Sequence, residues 1–566
     1  MESAGLERDT LTQKITEALD KLSSRKAIKY GVYISAVIIF FGFILLPPII
    51  GIVIKWDSIQ FILNQPSLVN RALSAIQNSF IIALLVAAFD LLAGVPMAWL
   101  IARGKSRWLS AIDTLADIPF VIPTTALGYS LLLFWNNPDG ISALFGGSLI
   151  SPGWLLVMLL HFTFSFPVVV RTLVGALLDY KMEFERASRT LGAPPFTAMR
   201  TVTFPILRPA MISAFILAFA RSISETGATI VVAGVFSGGG FENGPVFIQN
   251  MKTEFSVVNA SLYNGAIVFA SFILIIISLL IFVAIRLLGP KLRLPLRRVR
   301  PVTERKLSYK KAEKSRNTVT LIVFFALILT PSLFVALPAF QAIFTNTLPN
   351  ALTGSGIWSG YWQSLLLSYG LGATVTVLNI LIGLPTAIII ARKKAGKVMS
   401  SVFDILVNVP LVVPSIALGV SLGIFWKSYG LPEMLLLIFA HLAITYPYFV
   451  RSMSAAVERI SLDMEEASRT LGAKPLGVFR TIVFPLTKYS MLSGAIMVFT
   501  RSVSETGATL AVSPTLKTVP VLLVDWIKKV VPATGFDIAL AAGFLILFSF
   551  IILLVLRLVV GREEKY

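Results

Sequence analysis

The 566-residue chain contains two histidines and no cysteine. Thiol catalysis, zinc-finger ligation, iron–sulfur clusters and disulfide scaffolds therefore drop out together, and acid–base or metal chemistry on a histidine cluster goes with them. Carboxylates are left. The ones that stand out lie in apolar surroundings: Arg221 with Glu225, and Arg501 with Glu505, each pair four residues apart. At 100° per residue, positions 221, 222, 225, 226 and 229 of a helix fall within about 140° of arc. Ser222, Thr226 and Thr229 then share a polar face with the charges, as do Ser502, Thr506 and Thr509 in the second string. Charge in hydrocarbon is costly and commonly functional. Either each pair fixes helix register, or the stripe lines a path or gate; both hold if the ions neutralise each other while the hydroxyls face the path. Asp90 is a further polar residue of this kind, facing a bundle or a pathway. His161 and His441 suit hydrogen bonds between helices better than contact with a metal or solute. No catalytic residue and no metal site are expected.

The elements that hold these residues follow from composition. Hydrophobic residues make up 56% of the chain and charged ones 14%, too greasy for a water-soluble surface. Twelve apolar runs of spanning length occur, from 31-54 to 537-560, with the third at 111-135, the fifth at 212-235, the ninth at 404-426 and the eleventh at 490-513. Backbone in hydrocarbon must satisfy itself, so each run is expected to be helical and the fold to be all-α integral membrane. Proline pairs 119/123 and 410/414 should kink or unwind the third and ninth spans. Trp56, Trp108, Trp135, Trp154, Trp358, Trp362 and Trp426 fall at span ends, as interface anchors do.

The formal charge is +20. Residues 286-316 alone carry twelve Lys/Arg against two glutamates, and with Pro290, Pro295 and Pro301 they read as an irregular linker. Tyr309 is its one aromatic residue, so base stacking is missing and nucleic acid is not expected as a partner. Positive-inside topology and attraction to membrane lipid account for the charge. The resulting plan is a cytoplasmic N-terminal segment 1-30, a first half 31-288, a basic cytoplasmic linker 289-317, a second half 318-560 and a cytoplasmic tail 561-566. Both termini come out cytoplasmic.

The halves are copies. At an offset of 280, Glu185-Arg186-Ala187-Ser188-Arg189-Thr190-Leu191-Gly192-Ala193 matches Glu465-Glu466-Ala467-Ser468-Arg469-Thr470-Leu471-Gly472-Ala473, and Arg221 to Thr229 matches Arg501 to Thr509. The same offset pairs His161 with His441, so both histidines are one position seen twice. Offsets of 291 and 289 pair Pro119 and Pro123 with Pro410 and Pro414, and Asp90 with Asn379. Equivalent segments follow an even number of spans, which makes the six-helix repeats parallel and places a path between them.

Glu466-Ala467-Ser468 with Gly472, then Phe484-Pro485, resembles the EAA loop of ABC importer permeases. The first copy has Arg186-Ala187-Ser188 with Gly192, and Glu185 adjacent. The resemblance covers roughly 60-288 and 345-560, and implies a type I importer architecture. It also implies that Glu185, Arg186, Ala187, Ser188, Gly192, Glu465, Glu466, Ala467, Ser468 and Gly472 form coupling helices on two copies of an ATPase subunit. Solute would come from an external binding protein, in a prokaryotic inner membrane. ATP and Mg are expected on the partner subunit and no cofactor in this chain, because no phosphate-binding loop occurs: Gly104-Lys105-Ser106 has Trp99 at the required first glycine. The Arg-x-x-x-Glu-x-Gly-Ala-Thr string resembles sulfate, molybdate and tungstate permeases, whereas fused halves and a histidine six residues before a proline resemble ferric-iron and thiamine permeases. The alternative, an ion-coupled secondary transporter, would place unpaired Asp, Glu or His along its path and would not need paired projecting loops.

Overall fold

A computed structural model describes residues 20–104, 108–136, 140–233, 241–255, 259–288, 291 and 301–560. Most of the N-terminal segment, residues 289, 290 and 292–300 of the linker and the tail 561-566 lie outside the described residues. Among those described there is no strand. Among the described residues ten helices are long and apolar enough to cross a membrane, and counting each of two bent pairs as one span gives twelve. The bent pairs are the third and ninth spans: Trp108–Phe120 meets Thr124–Asn136 at 104°, and Lys397–Val412 meets Ser415–Lys427 at 106°. Proline causes both. A residue before proline is sterically driven out of the helical region, and Ile122 (ψ 127°) and Val413 (ψ 132°) are extended just ahead of Pro123 and Pro414.

The fifth and eleventh spans differ from expectation. Neither is a continuous helix: Phe204–Ser224 stops, Glu225 and Thr226 are non-helical, and Gly227–Val232 resumes. The second copy breaks in the same place, between Phe484–Val503 and Gly507–Val512. The arc calculated for an unbroken helix therefore does not apply past residue 224 or 503.

Each half builds a three-helix packing unit, Pro66–Arg103 with Trp154–Leu178 and Phe204–Ser224 in the first, Tyr361–Ala391 with Glu433–Glu458 and Phe484–Val503 in the second. Glycine permits the closest approaches: a Cβ on Gly94 would lie 2.7 Å from Val169, and one on Gly383 2.7 Å from Phe449. The first span of each half does not join its own unit alone. Leu46–Ile54 packs on Ser415–Lys427 of the second half, so closely that a Cβ on Gly51 would meet the Ser421 carbonyl at 2.3 Å. Reciprocally, Ser130 Oγ donates to the carbonyl of Pro331 (2.7 Å) or Ser332 (3.1 Å). The halves are thus interlocked through their first spans.

Two further expectations are corrected. The linker is not irregular where it is described, since Pro301–Leu307 is a helix and Lys310–Val323 already begins the seventh span. Nor do all tryptophans sit as surface anchors. Trp56, Trp108 and Trp154 are exposed, but Trp135 and Trp358 are buried, Trp358 donating from Nε1 to Asp537 at 3.0 Å and packing against Trp526.

Candidate functional site

The two breaks meet at the interface between the halves. A Cβ on Gly227 would sit 2.4 Å from Thr506, and one on Gly507 2.7 Å from Thr226, so glycine is required for the segments to touch. Thr125 Oγ1 and Thr506 Oγ1 are 2.8 Å apart and Thr226 Oγ1 lies 3.4 Å from Ser415 Oγ, hydroxyl contacts that cross from one half to the other. All four threonine and serine side chains are buried. The two halves are in close contact at this level.

The histidines hold the breaks in shape. His161 Nδ1 is 2.8 Å from Ser222 Oγ, before the break, and Nε2 is 2.8 Å from Thr229 Oγ1, after it. His441 repeats this with Ser502 (2.8 Å) and Thr509 (2.9 Å). Thr229 and Thr509 donate to the carbonyls of Glu225 and Glu505. The threonine oxygens therefore accept from Nε2–H, and each ring joins the hydroxyls before and after its break. Behind the rings, Ser165 Oγ donates to Asp90 or to the His161 carbonyl (2.6 Å), while Asn379 donates to Thr445 (2.9 Å), which donates to the His441 carbonyl (2.7 Å). Ser222, Thr229, Ser502 and Thr509 thus contact histidine, Asp90 contacts Ser165, and Thr226 and Thr506 contact the opposite half.

The charged residues separate. Glu225 and Glu505 each accept the backbone N–H of the third residue on, Ala228 (3.1 Å) and Ala508 (2.9 Å), satisfying donors freed by the break. Arg501 forms the expected ion pair with Glu505 at 2.7 Å. Arg221 does not pair with Glu225; it lies over the rings of Phe120 (5.7 Å) and Phe164 (5.2 Å), with Nε and one terminal nitrogen buried and unpartnered. Both glutamates have left their helices, so the break alone does not decide the pairing; in the first half the arginine is taken up by the two rings. A narrow cleft beside Arg501 is lined by Ser224, Ser415 and Tyr448.

At the end of the bundle carrying the basic loops, two short helices project: Met182–Thr190 and Leu462–Thr470. Each ends on a glycine in the left-handed region, Gly192 and Gly472, both at φ +91°. Ala193 N–H returns to the Ser188 carbonyl (3.2 Å) and Gly192 N–H to that of Arg189 (3.0 Å), with Ala473, Ser468, Gly472 and Arg469 repeating the pattern. This six-to-one closure needs a positive φ that only glycine adopts without strain. Glu185 and Glu465 are buried beneath, Glu465 paired with Arg392 at 2.7 Å and Glu185 with Arg103 at 3.8 Å. Arg186, Ala187, Glu466 and Ala467 face outward, while Ser188 and Ser468 are half-buried. Leu191 and Leu471, 88% and 89% exposed, form the apolar tips.

Sequence reasoning missed what braces these loops. Glu304 of the linker helix accepts from Thr197 Oγ1 (2.6 Å) and pairs with Arg200 (2.8 Å), and Ser308 Oγ accepts from Phe196 N–H (3.1 Å). In the other half, Ser23 Oγ accepts from Leu476 N–H (3.3 Å). The segment before each first span therefore holds the projecting loop of the opposite half. A signal was present: Lys21-Leu22-Ser23 recurs as Lys306-Leu307-Ser308.

The profile of binding-protein-dependent transport system inner membrane components matches residues 94–294 and again 383–563. The chain belongs to that family. It is a permease subunit of an ABC importer, with two permease halves fused. It is similar to a probable sulfate transport permease, cysT, of Nephroselmis olivacea, 32% identical over 218 residues that cover 38% of this chain and 73% of the relative. CysT of Salmonella typhimurium, a sulfate permease, is 29% identical over 226 residues, 38% of this chain and 78% of the relative. ModB of Escherichia coli K12, a molybdenum permease, is 29% identical over 193 residues, 34% of this chain and 78% of the relative.

Proposed function

We propose that this permease imports a tetrahedral oxyanion across a prokaryotic inner membrane, with the basic loops and both termini in the cytoplasm. Similarity to sulfate and molybdenum permeases supports the substrate class. The Lys/Arg bias of the short loops supports the orientation. A nucleotide-binding subunit sits on each projecting loop, where Leu191 and Leu471 offer apolar tips that water leaves uncovered. ATP and Mg belong to that subunit, and an external binding protein delivers the solute.

The observation that carries the reading is the rigid link between loop and break. Pro195–Ser224 runs as one span from the projecting loop to the non-helical Glu225, and Pro475–Val503 does the same in the second half. Glu185 and Glu465 tie the loops to Arg103 and Arg392 at the ends of neighbouring spans. A shift of the loops imposed by the ATPase tilts these spans and parts Thr226 from Ser415 and Thr506 from Thr125, giving the two states that alternating access requires.

Reconstitution with the ATPase and binding protein tests this. Sulfate or molybdate uptake should depend on ATP, and Glu466→Lys, which reverses an exposed charge, should leave insertion intact while lowering uptake per ATP hydrolysed. Uptake of thiamine or ferric iron in place of oxyanions would overturn the substrate, and wild-type coupling in Glu466→Lys would overturn the role of the loop.

A further inference from the structure

At the end of the bundle that carries the projecting loops, a groove of about 320 Å³ opens between Leu100 of the second span, Trp108 of the third and one face of Lys310–Val323, the start of the seventh. That face carries Lys310, Glu313, Lys314, Thr318 and Leu321, spaced by threes and fours as one stripe of a helix. Its polarity changes with depth. Lys314 and Leu321 are seven residues apart, about 10 Å along the axis, whereas the head-group layer on one side of a bilayer is about 5–8 Å thick. With Lys314 among head groups, Leu321 therefore reaches hydrocarbon. Trp108 is exposed beside the groove, an amphipathic ring at the boundary between the two.

In the second half the same place is filled from within. Lys21-Leu22-Ser23 and Lys306-Leu307-Ser308 set the two copies in register, which makes Tyr33 the counterpart of Thr318 and Ile28 that of Glu313. The helix Lys26–Val37 packs on Tyr361–Ala391 as Lys310–Val323 packs on Pro66–Arg103. There the Lys394 ammonium lies 4.8 Å from the centre of the Tyr33 ring and donates to its hydroxyl at 2.6 Å. The chain's own ring and ammonium thus occupy the junction. In the first half a threonine stands in place of the ring, and a carboxylate is added between two ammonium groups. Lys310, Glu313 and Lys314 are all exposed.

We propose that this groove binds one phospholipid with a phosphoethanolamine head group, and that the bound lipid steadies the brace on the first projecting loop. The phosphate oxygens accept from Lys310 and Lys314, which one helical turn brings to the same side, and the lipid ammonium donates to Glu313 between them. An acyl chain lies along Leu100 and Leu321. A head group that is only anionic would leave the carboxylate beside another negative charge, and choline, methylated at its nitrogen, has no hydrogen to donate. Ser308, two residues ahead of Lys310, accepts the Phe196 N–H of the loop through its hydroxyl. A lipid that fixes the first turn of Lys310–Val323 therefore also holds the anchor of that loop. The proposal depends on no particular solute.

Native mass spectrometry of the purified full chain in detergent, titrated in turn with dioleoyl phosphatidylethanolamine, phosphatidylglycerol and phosphatidylcholine, tests the site. The first lipid should bind several-fold more tightly than the other two. Thr318→Tyr, which supplies the ring found in the second half, should weaken it several-fold, as should Lys310→Gln with Lys314→Gln, while Lys311→Gln, off the groove, should leave it unchanged. Glu313→Gln should abolish the preference for ethanolamine over glycerol and still retain a lipid, which a misfolded chain would not do. Equal affinity for the three lipids, or an ethanolamine preference that survives Glu313→Gln, overturns the site. Displacement by an equal concentration of soluble glycerophosphoethanolamine overturns the lipid as its occupant. In nanodiscs, exchanging phosphatidylcholine for phosphatidylethanolamine should slow amide hydrogen exchange over residues 196–201 several-fold, and unchanged exchange there with the lipid bound overturns its hold on the brace.

Discussion

The break in the first half and the break in the second use the same histidine, hydroxyls and glutamate, but they handle their arginine differently. Arg501 pairs with Glu505 at 2.7 Å, whereas Arg221 rests between Phe120 and Phe164 and leaves Glu225 to the backbone. The positions equivalent to the two phenylalanines hold Leu411 and Ile444, so those two rings are absent where the ion pair is present. A duplicated membrane element can thus keep its scaffold while exchanging one way of settling a buried cation for another. Each cation–π contact supplies about 0.5–2 kcal/mol depending on desolvation, and a buried ion pair is nearly neutral overall yet costly to leave half-made.

Substitutions can break or sharpen this contrast. The largest effect is expected for Arg501→Met, which strands Glu505 as an uncompensated buried charge at a cost of about 3–5 kcal/mol; adding Glu505→Gln should recover most of it. Arg221→Met should cost less, about 1–2 kcal/mol, because only the ring contacts are lost. Unfolding in detergent, followed by near-ultraviolet dichroism, would read both, and equal losses would erase the distinction between the halves. Intermediate effects belong to what the halves share. His161→Ala and His441→Ala each remove two hydrogen bonds and leave buried hydroxyls, about 1–3 kcal/mol, and the two losses should agree; a clear inequality would mean that the breaks are not equivalent staples. The smallest change in stability, within about 0.5 kcal/mol, is expected for Leu191→Ser or Leu471→Ser at the exposed tips. Those variants should nevertheless lower ATP-driven uptake, and unchanged uptake in both would remove the tips from the coupling surface.

Much of this was legible in sequence because it rests on local rules. The prolines at 123 and 414 dictate the bends, and the offset of 280 identifies the histidines as one position. Gly192 and Gly472 mark helix ends whose backbone demands them. What escaped was set by tertiary contact. Nothing in Glu-Thr-Gly announces a break in an apolar run, because Gly227 and Gly507 are needed for close approach and not for an unusual φ. The unequal arginines follow from the side chains packed around them, Phe120 and Phe164 against Leu411 and Ile444. The interlocked first spans and the Glu304 brace join residues from opposite halves, which periodicity within one segment cannot reveal. Trp358 reads as an interface anchor by position, yet its indole is buried through a bond to Asp537.

The central claim is that the meeting of the two breaks is a gate that must part for transport. The chain has no cysteine, so a pair can be introduced without background. Thr125→Cys with Thr506→Cys replaces hydroxyls 2.8 Å apart in opposite halves, and the decisive measurement is ATP-driven uptake by the complex before oxidation, after it, and after reduction. The disulfide should form in the resting complex and abolish uptake, and reductant should restore it. Full uptake by a quantitatively cross-linked complex would contradict it.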